Sequence, residues 1–265
     1  MSFDAHTHLH DKRLDPYRTT VNQLIGQTGI NGLCCCGTSP EDWSSVATLK
    51  KQFEAANAPI IIVPAFGVHP WFLDQCKPDW LETLENFLSN NEKAIIGEIG
   101  LDGLHGRQSR ELQIKFLRAQ LELAVKYRRP VSLHGARAMG ALINIIDPFI
   151  AKLPGFMIHA FSGSQEILKD IVKRNGMVSF AGSVCNPAAT RVRLASSMVP
   201  IKNLLLETDT PDIFPVGGAA VPGDSKNLNH PGNIKTILKC IAGLRNQNIE
   251  ELDATTTKNA LAFFT

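Results

Sequence analysis

Short runs of apolar, β-branched residues recur along the chain, and longer stretches between them return an apolar residue every third or fourth position. The first pattern marks strands and the second amphipathic helices; their alternation is what parallel strands joined by crossover helices produce. Eight strand segments emerge: Ser2–His6, Gly32–Cys36, Ile60–Val68, Ala94–Ile99, Pro130–His134, Gly155–His159, Met177–Ala181 and Asn203–Glu207. Most are apolar on both faces, as strands covered on both sides must be.

The helical stretches carry start and stop signals. Ser39 is placed to cap a helix with Pro40 at its first position and Trp43, Val46, Leu49 and Phe53 on one stripe. Asp79, with Glu82 three residues on, resembles a capping box ahead of Leu84, Phe87 and Leu88. Ser164 opens another helix that Gly176 closes, Ser109 to Tyr127 is the longest, and Ile234, Ile237, Leu238 and Ile241 share a face of a further one. Eight strands in this alternation predict an α/β fold, a (β/α)8 TIM barrel, and no linker rich in Pro, Gly or Ser divides residues 1–265 into two domains. The least regular segment, Thr210 to Asn233, is too long for a simple connection, and such loops after barrel strands carry function.

Composition narrows the field. The 265 residues are 44% apolar and 20% charged, an ordinary globular mixture. A net charge of +2 without a run of like charges leaves no basic stripe for gripping nucleic acid by electrostatics alone. The six cysteines lack C-x-x-C spacing, the first residues lack a secretory pattern, and no apolar run is long enough for a membrane span. A reduced, cytoplasmic protein with no membrane association and no obligate protein partner is expected.

Candidate chemistry gathers where a barrel keeps its active site, at the C-terminal strand ends. His6 and His8 close the first strand, His69 follows the third, Glu98 closes the fourth, His134 the fifth and His159 the sixth, and Asp209 follows the eighth. Strand periodicity puts His6 and His8 on one side, so both imidazoles can reach one ion. An apolar run buries Glu98, and a buried carboxylate calls for a cation. Glu207 and Asp209 share a face by the same periodicity, so spacing does not say which would bind metal and which would support it. Histidine and carboxylate without cysteine suit Zn²⁺, Mn²⁺ or Mg²⁺, with donors enough for two ions, and hydrolysis is the reaction class to expect.

Seven motifs, DAHTHLH, FGVHPW, IGEIGLD, the His134 strand end, IHAFSGS, ETDTPD and NHP, come in the order and at spacings similar to those of the TatD-type metal-dependent deoxyribonucleases of the amidohydrolase superfamily. The resemblance covers essentially the whole chain. It implies that His6, His8 and Asp209 bind one metal, that Glu98 bridges two, and that His134 and His159 serve the second, with Glu207 as support. It further implies a deoxyribonuclease, read as an exonuclease, with DNA as substrate. A metal-activated water would attack the phosphodiester, Asp209 would take its proton, and His69 would contact the scissile phosphate. The alternative is a hydrolase of a small ester, lactone, amide or phosphoester; a binding protein that has lost turnover would have no need to keep the full donor set.

The departures from the family pattern concern substrate more than metal. Thr7 stands where cysteine is common. In HGARA the arginine falls one place later, at Arg137, and after Asp102 a Gly103-led loop offers His105 and Arg107 where a large residue is frequent. Asp102 is expected to orient Glu98 or another ligand, and Asn229 and Pro231 to anchor the long loop. His10 and His230 read as surface or supporting residues, and Cys34, Cys35 and Cys36 as buried strand packing.

Overall fold

Eight parallel strands pair in chain order: β1 (Ser2–Thr7), β2 (Ile30–Cys36), β3 (Ile61–Phe66), β4 (Ile95–Gly100), β5 (Val131–His134), β6 (Phe156–Ile158), β7 (Met177–Phe180) and β8 (Leu204–Leu206). The computed structural model describes residues 1–56 and 58–265. The first strand also meets the segment after the last: Asp209 N–H donates to His6 O at 3.0 Å, and the Asp4 carboxylate accepts from Thr208 N at 2.8 Å and Thr208 Oγ1 at 2.6 Å. This seam brings β1 and β8 together and completes a single-domain (β/α)8 TIM barrel, as the alternating pattern predicts.

Among the described residues nine helices surround the strands: α1 (Arg18–Gln27), α2 (Trp43–Ala55), α3 (Trp80–Ser89), α4 (Arg110–Lys126), α5 (Met139–Ile150), α6 (Gln165–Lys173), α7 (Thr190–Met198), α8 (Ile234–Arg245) and α9 (Ile249–Phe264). Ser109 and Ser164 cap α4 and α6, their hydroxyls accepting from Leu112 N and Ile167 N. Three expected caps turn out differently. Ser39 does not cap α2, because the Asp42 carboxylate captures the Thr38 and Ser39 amides in a turn that competes with the helix and delays it to Trp43. Asp79 sits at the N-cap of α3, but its side chain accepts no hydrogen bond there. The left-handed residue ending α6 is Asn175, at φ 57°, rather than Gly176. Gly176 answers a packing need instead, since a Cβ there would lie 2.4 Å from the Phe156 ring.

The core has two parts. Trp43, Leu84, Leu121, Ile143, Ile171 and Ile237 belong to the layer between helices and barrel. A second cluster draws Phe3, Ala5, Cys34, Cys36, Val63, Ala65, Ile95, Met157 and Leu205 from six strands into mutual contact, which only the barrel interior permits. Phe264 of α9 stacks on Phe3 with centroids 5.1 Å apart and plugs the end where the strands begin. The opposite end is left open for the polar residues at the strand termini.

Candidate metal centre

Apolar strand residues are buried by the barrel wall and interior, so the polar groups that end each strand have one destination, the mouth. His8, His69, Glu98, His134, His159 and Asp209 line a cavity of about 580 Å³ there, and His6 lies fully buried beneath them. Glu98 stands at the middle. Its Oε2 is 3.3 Å from His6 Nε2 and 3.5 Å from His8 Nε2, while its Oε1 is 2.7 Å from His159 Nε2, 2.9 Å from His134 Nδ1 and 3.3 Å from His69 Nε2. Asp209 Oδ1 completes the first group, 3.5 Å from His8 Nε2 and 3.8 Å from His6 Nε2. The result is two lobes that share one carboxylate.

Glu207 takes no place in either lobe. β8 ends at Leu206 and Asp209 adopts a left-handed φ of 53°, so strand periodicity does not extend across the pair and the two carboxylates part. Asp209 faces His6 and His8. The Glu207 Oε1 atom accepts from Ala160 N at 2.6 Å and lies 3.6 Å from His159 Nδ1, and Oε2 accepts from Ser179 Oγ.

The outer nitrogen of each imidazole decides what the inner one can do. His8 Nδ1 donates to the Cys36 carbonyl at 2.7 Å, and His134 Nε2 donates to Asp102 Oδ2 at 3.0 Å. His159 Nδ1 faces Glu207, and His6 Nδ1 faces Ser132 Oγ at 3.3 Å. A proton held on the outer nitrogen leaves a lone pair on the inner one, which is the arrangement that ligand histidines need. His69 is the reverse case. Its Nδ1 accepts from Trp71 N–H at 3.1 Å, which puts the proton on Nε2, the nitrogen that faces the cavity. When neutral, His8 and His134 therefore present acceptors to the centre, whereas His69 presents a donor.

Inner lone pairs and carboxylates pointing at one another repel unless a positive charge comes between them. His6 Nε2 and His8 Nε2 are 3.3 Å apart, His134 Nδ1 and His159 Nε2 are 3.2 Å apart, and the buried Asp209 Oδ1 has no hydrogen-bond partner. Protons could supply the charge: although burial opposes it, the Asp209 and Glu98 carboxylates drive His8 well above its ordinary pKa, and Glu98 with Glu207 does the same for His159. Burial likewise raises the two acids, yet the surrounding histidines outweigh it, holding Glu98 well below the carboxylate range and Asp209 down at about 2. Burial takes His69 down to about 4, so it is neutral at pH 7. Nitrogen and oxygen donors converging around a shared carboxylate, with an orphaned buried oxygen among them, fit divalent cations.

Neighbouring groups hold this arrangement. Asp102 bonds His134 rather than Glu98, and its Oδ2 also accepts from the Trp71 indole N–H at 2.7 Å. Gly100, at φ 151°, lets the end of β4 approach β5, where a Cβ would fall 2.0 Å from His134 O. The Asn229 amide N–H₂ donates to Thr208 O and Asp212 O, its Oδ1 accepts from Asn233 Nδ2, and Pro231 opens the 3-10 turn before α8, so both residues tie the long loop to the mouth.

The remaining expected residues fall as follows. His10 lines the cavity wall, nearly buried, 3.3 Å from Asp42 Oδ2 and 3.5 Å from Cys35 Sγ. His230 is buried and lies outside the histidine and carboxylate clusters among the described residues. Arg137 takes a left-handed backbone, φ 46°, and does not line the cavity, whereas His105 does, and the Arg107 guanidinium covers Trp71. Cys34, Cys35 and Cys36 are buried thiols. Periodicity did not reveal Trp71 or the pairing of Asp102 with His134; the nearest signal was an acidic residue four places after Glu98 in an otherwise apolar segment.

A TIM barrel with nitrogen and oxygen donors converging on a buried carboxylate at its mouth defines a metal-dependent hydrolase. Within that class the chain belongs to the TatD related DNase family, whose profile matches residues 3–265. It is 28% identical over 263 residues to the 3′-5′ ssDNA/RNA exonuclease TatD of Escherichia coli K12, covering 99% of this chain and 98% of that protein. It is also 28% identical over 268 residues to the metal-dependent hydrolase YabD of Bacillus subtilis, covering 100% and 99%. The crystal structure of YJJV, a TatD homologue from E. coli K12, superposes with a TM-score of 0.88 at 26% identity over 99% of this chain and 97% of that one. The chain is thus an enzyme of the TatD type that uses divalent metal. No helix among the described residues is long and apolar enough to cross a membrane.

Proposed function

We propose that the enzyme hydrolyses phosphodiester bonds at the ends of single-stranded DNA, as an exonuclease, with two divalent ions per chain. The observation that carries this reading is the division of Glu98 between two lobes, Oε2 toward His6 and His8 and Oε1 toward His134 and His159. His6, His8, Asp209 and Glu98 would hold one ion, and His134, His159 and Glu98 the other, with Zn²⁺, Mn²⁺ and Mg²⁺ as the candidates. Divalent ions bound there supply Lewis acidity that acidifies water and offsets charge on a phosphate.

The protein groups then have distinct tasks. Asp209, held ionised, accepts the proton of the attacking water. Neutral His69 donates through Nε2 to a phosphate oxygen as charge develops on it, a task its backbone-bonded Nδ1 prepares. Asp102 fixes the tautomer of His134, and Glu207 lies behind His159. A mouth of about 580 Å³ suits one nucleotide rather than a duplex, and the E. coli relative's name gives 3′ to 5′ as the expected direction. Six free thiols, three of them side by side on β2, are compatible with a reducing compartment such as the cytoplasm.

Digestion of end-labelled single-stranded oligonucleotides by wild type and Glu98→Ala, with metal analysis of both, tests the reading. The expected result is a ladder growing from the 3′ end that requires added divalent ion and vanishes with EDTA or with Glu98→Ala. Cleavage indifferent to EDTA would overturn it. So would inert DNA beside rapid turnover of a small phosphoester or lactone, the alternative activity of the same centre.

A further inference from the structure

Part of the cavity lining belongs to neither lobe of the centre. Trp71, Phe72, Leu104, His105 and Met139 form it. Trp71 is fixed in place, since its indole N–H donates to Asp102. Around it stand two residues of the loop after β4. The His105 ring meets the indole edge-on, centroids 4.5 Å apart at 80°, and the Arg107 guanidinium lies 4.7 Å from the indole centroid. Both are exposed, and neither has a carboxylate partner within ion-pair distance among the described residues. A surface arginine ordinarily extends into water or finds an acid; here it caps an aromatic ring beside a catalytic cavity.

We infer that Trp71, His105 and Arg107 form a nucleobase subsite, which takes the unpaired base of the nucleotide whose phosphate lies at the metal-binding side. The inference rests on the nuclease reading above. Two observations select a base as the occupant. The wall pairs π surface with a guanidinium plane, the combination that stacks any base without reading its edge. It is also continuous with the reacting centre: the indole centroid is 4.9 Å from that of His69 and 6.4 Å from that of His134, a separation comparable with that between a phosphate and its own base. A base can reach such a wall only when unpaired, so the subsite makes single-strandedness a requirement of productive binding. Asp102 joins the wall to the centre, bonding Trp71 and His134 through one oxygen.

The test compares oligonucleotides that end 3′ in an intact nucleotide or in an abasic one, cut by metal-loaded wild type and by the His105→Ala/Arg107→Ala double variant. Loss of stacking is expected to raise KM about tenfold, both for wild type on the abasic end and for the double variant on the intact end, with kcat changed less than about twofold. The two losses should not add, because both remove the same contact. Trp71→Phe separates the two links: it keeps a ring and hence KM, but removes the N–H from Asp102 and lowers kcat. Equal KM for intact and abasic ends in wild type, or an unchanged KM in the double variant, would overturn the subsite. Cleavage of neither oligonucleotide by wild type would overturn the nuclease reading, and the subsite with it.

Discussion

The two ends of the barrel bury similar groups and treat them in opposite ways. Where the strands begin, Asp253 accepts from Ser2 Oγ at 2.5 Å, Lys235 Nζ at 3.1 Å and the Met1 amino group at 3.2 Å, so the carboxylate is fully partnered. Where the strands end, Glu98 and Asp209 sit among imidazoles whose inner nitrogens crowd within 3.2–3.3 Å of one another, and Asp209 Oδ1 is left without a partner. The lower cluster is complete and contributes stability. The upper one is complete only with cations that the chain does not supply. Substitutions at the two ends should therefore separate activity from stability.

The largest effect is expected for Glu98→Ala. Both lobes lose their shared oxygens, and phosphodiester turnover should fall by about a thousandfold or more, several kcal/mol of barrier, with reduced metal content in the same preparation. His69→Ala should cost about a hundredfold in kcat with metal content intact, as the proposed contact of His69 with the phosphate rather than with an ion requires. If His69→Ala turns over normally while Glu98→Ala is dead, the phosphate contact assigned to His69 is wrong. Asp102→Asn should lie between about tenfold and a hundredfold, read in metal affinity as well as rate, because it removes the acceptor that fixes His134. At the other end Asp253→Asn should lower folding stability by about 1–3 kcal/mol in denaturant titration and leave kcat per folded molecule unchanged.

The pH dependence of stability sharpens the same contrast. Burial raises the pKa of Asp253, but the bonds from Ser2 and Lys235 and the nearby positive charges outweigh it and leave the group lowered. A carboxyl lowered in the folded state contributes stability in full above its unfolded pKa of about 3.9, and that contribution is lost as the pH falls through the folded value. Acid titration of stability should accordingly show a limb in wild type that flattens in Asp253→Asn.

Strand positions were readable because parallel strands buried on both faces leave unbroken apolar runs, and each observed strand overlaps its expected segment within a few residues. The helices without such a signal have physical reasons for hiding. In α5 the run Met139–Ile150 is apolar nearly all round and contains Pro148; in α9 three consecutive threonines, Thr255 to Thr257, have low helix propensity; α7 is short and polar. At the mouth, strand ends named the residues that converge, because topology alone brings strand ends together. Which nitrogen faces which oxygen depends on second partners from distant strands, such as Cys36 O for His8 and Asp102 for His134. Spacing carries no information about those partners; the family resemblance implies Asp209 rather than Glu207 as ligand and His69 as a phosphate contact, and the three-dimensional arrangement adds how the two carboxylates part and which His69 nitrogen faces the cavity.

A mouth divided into two lobes that share Glu98 should hold two divalent ions. Metal titration of chelator-treated protein, followed by bound-metal analysis of wild type and Glu98→Ala, addresses it most directly. Two divalent ions per wild-type chain are expected, bound together with the recovery of oligonucleotide cleavage, with at least one ion lost in the variant. Wild-type protein that binds no divalent ion, or that cleaves DNA equally well with and without EDTA, would contradict it.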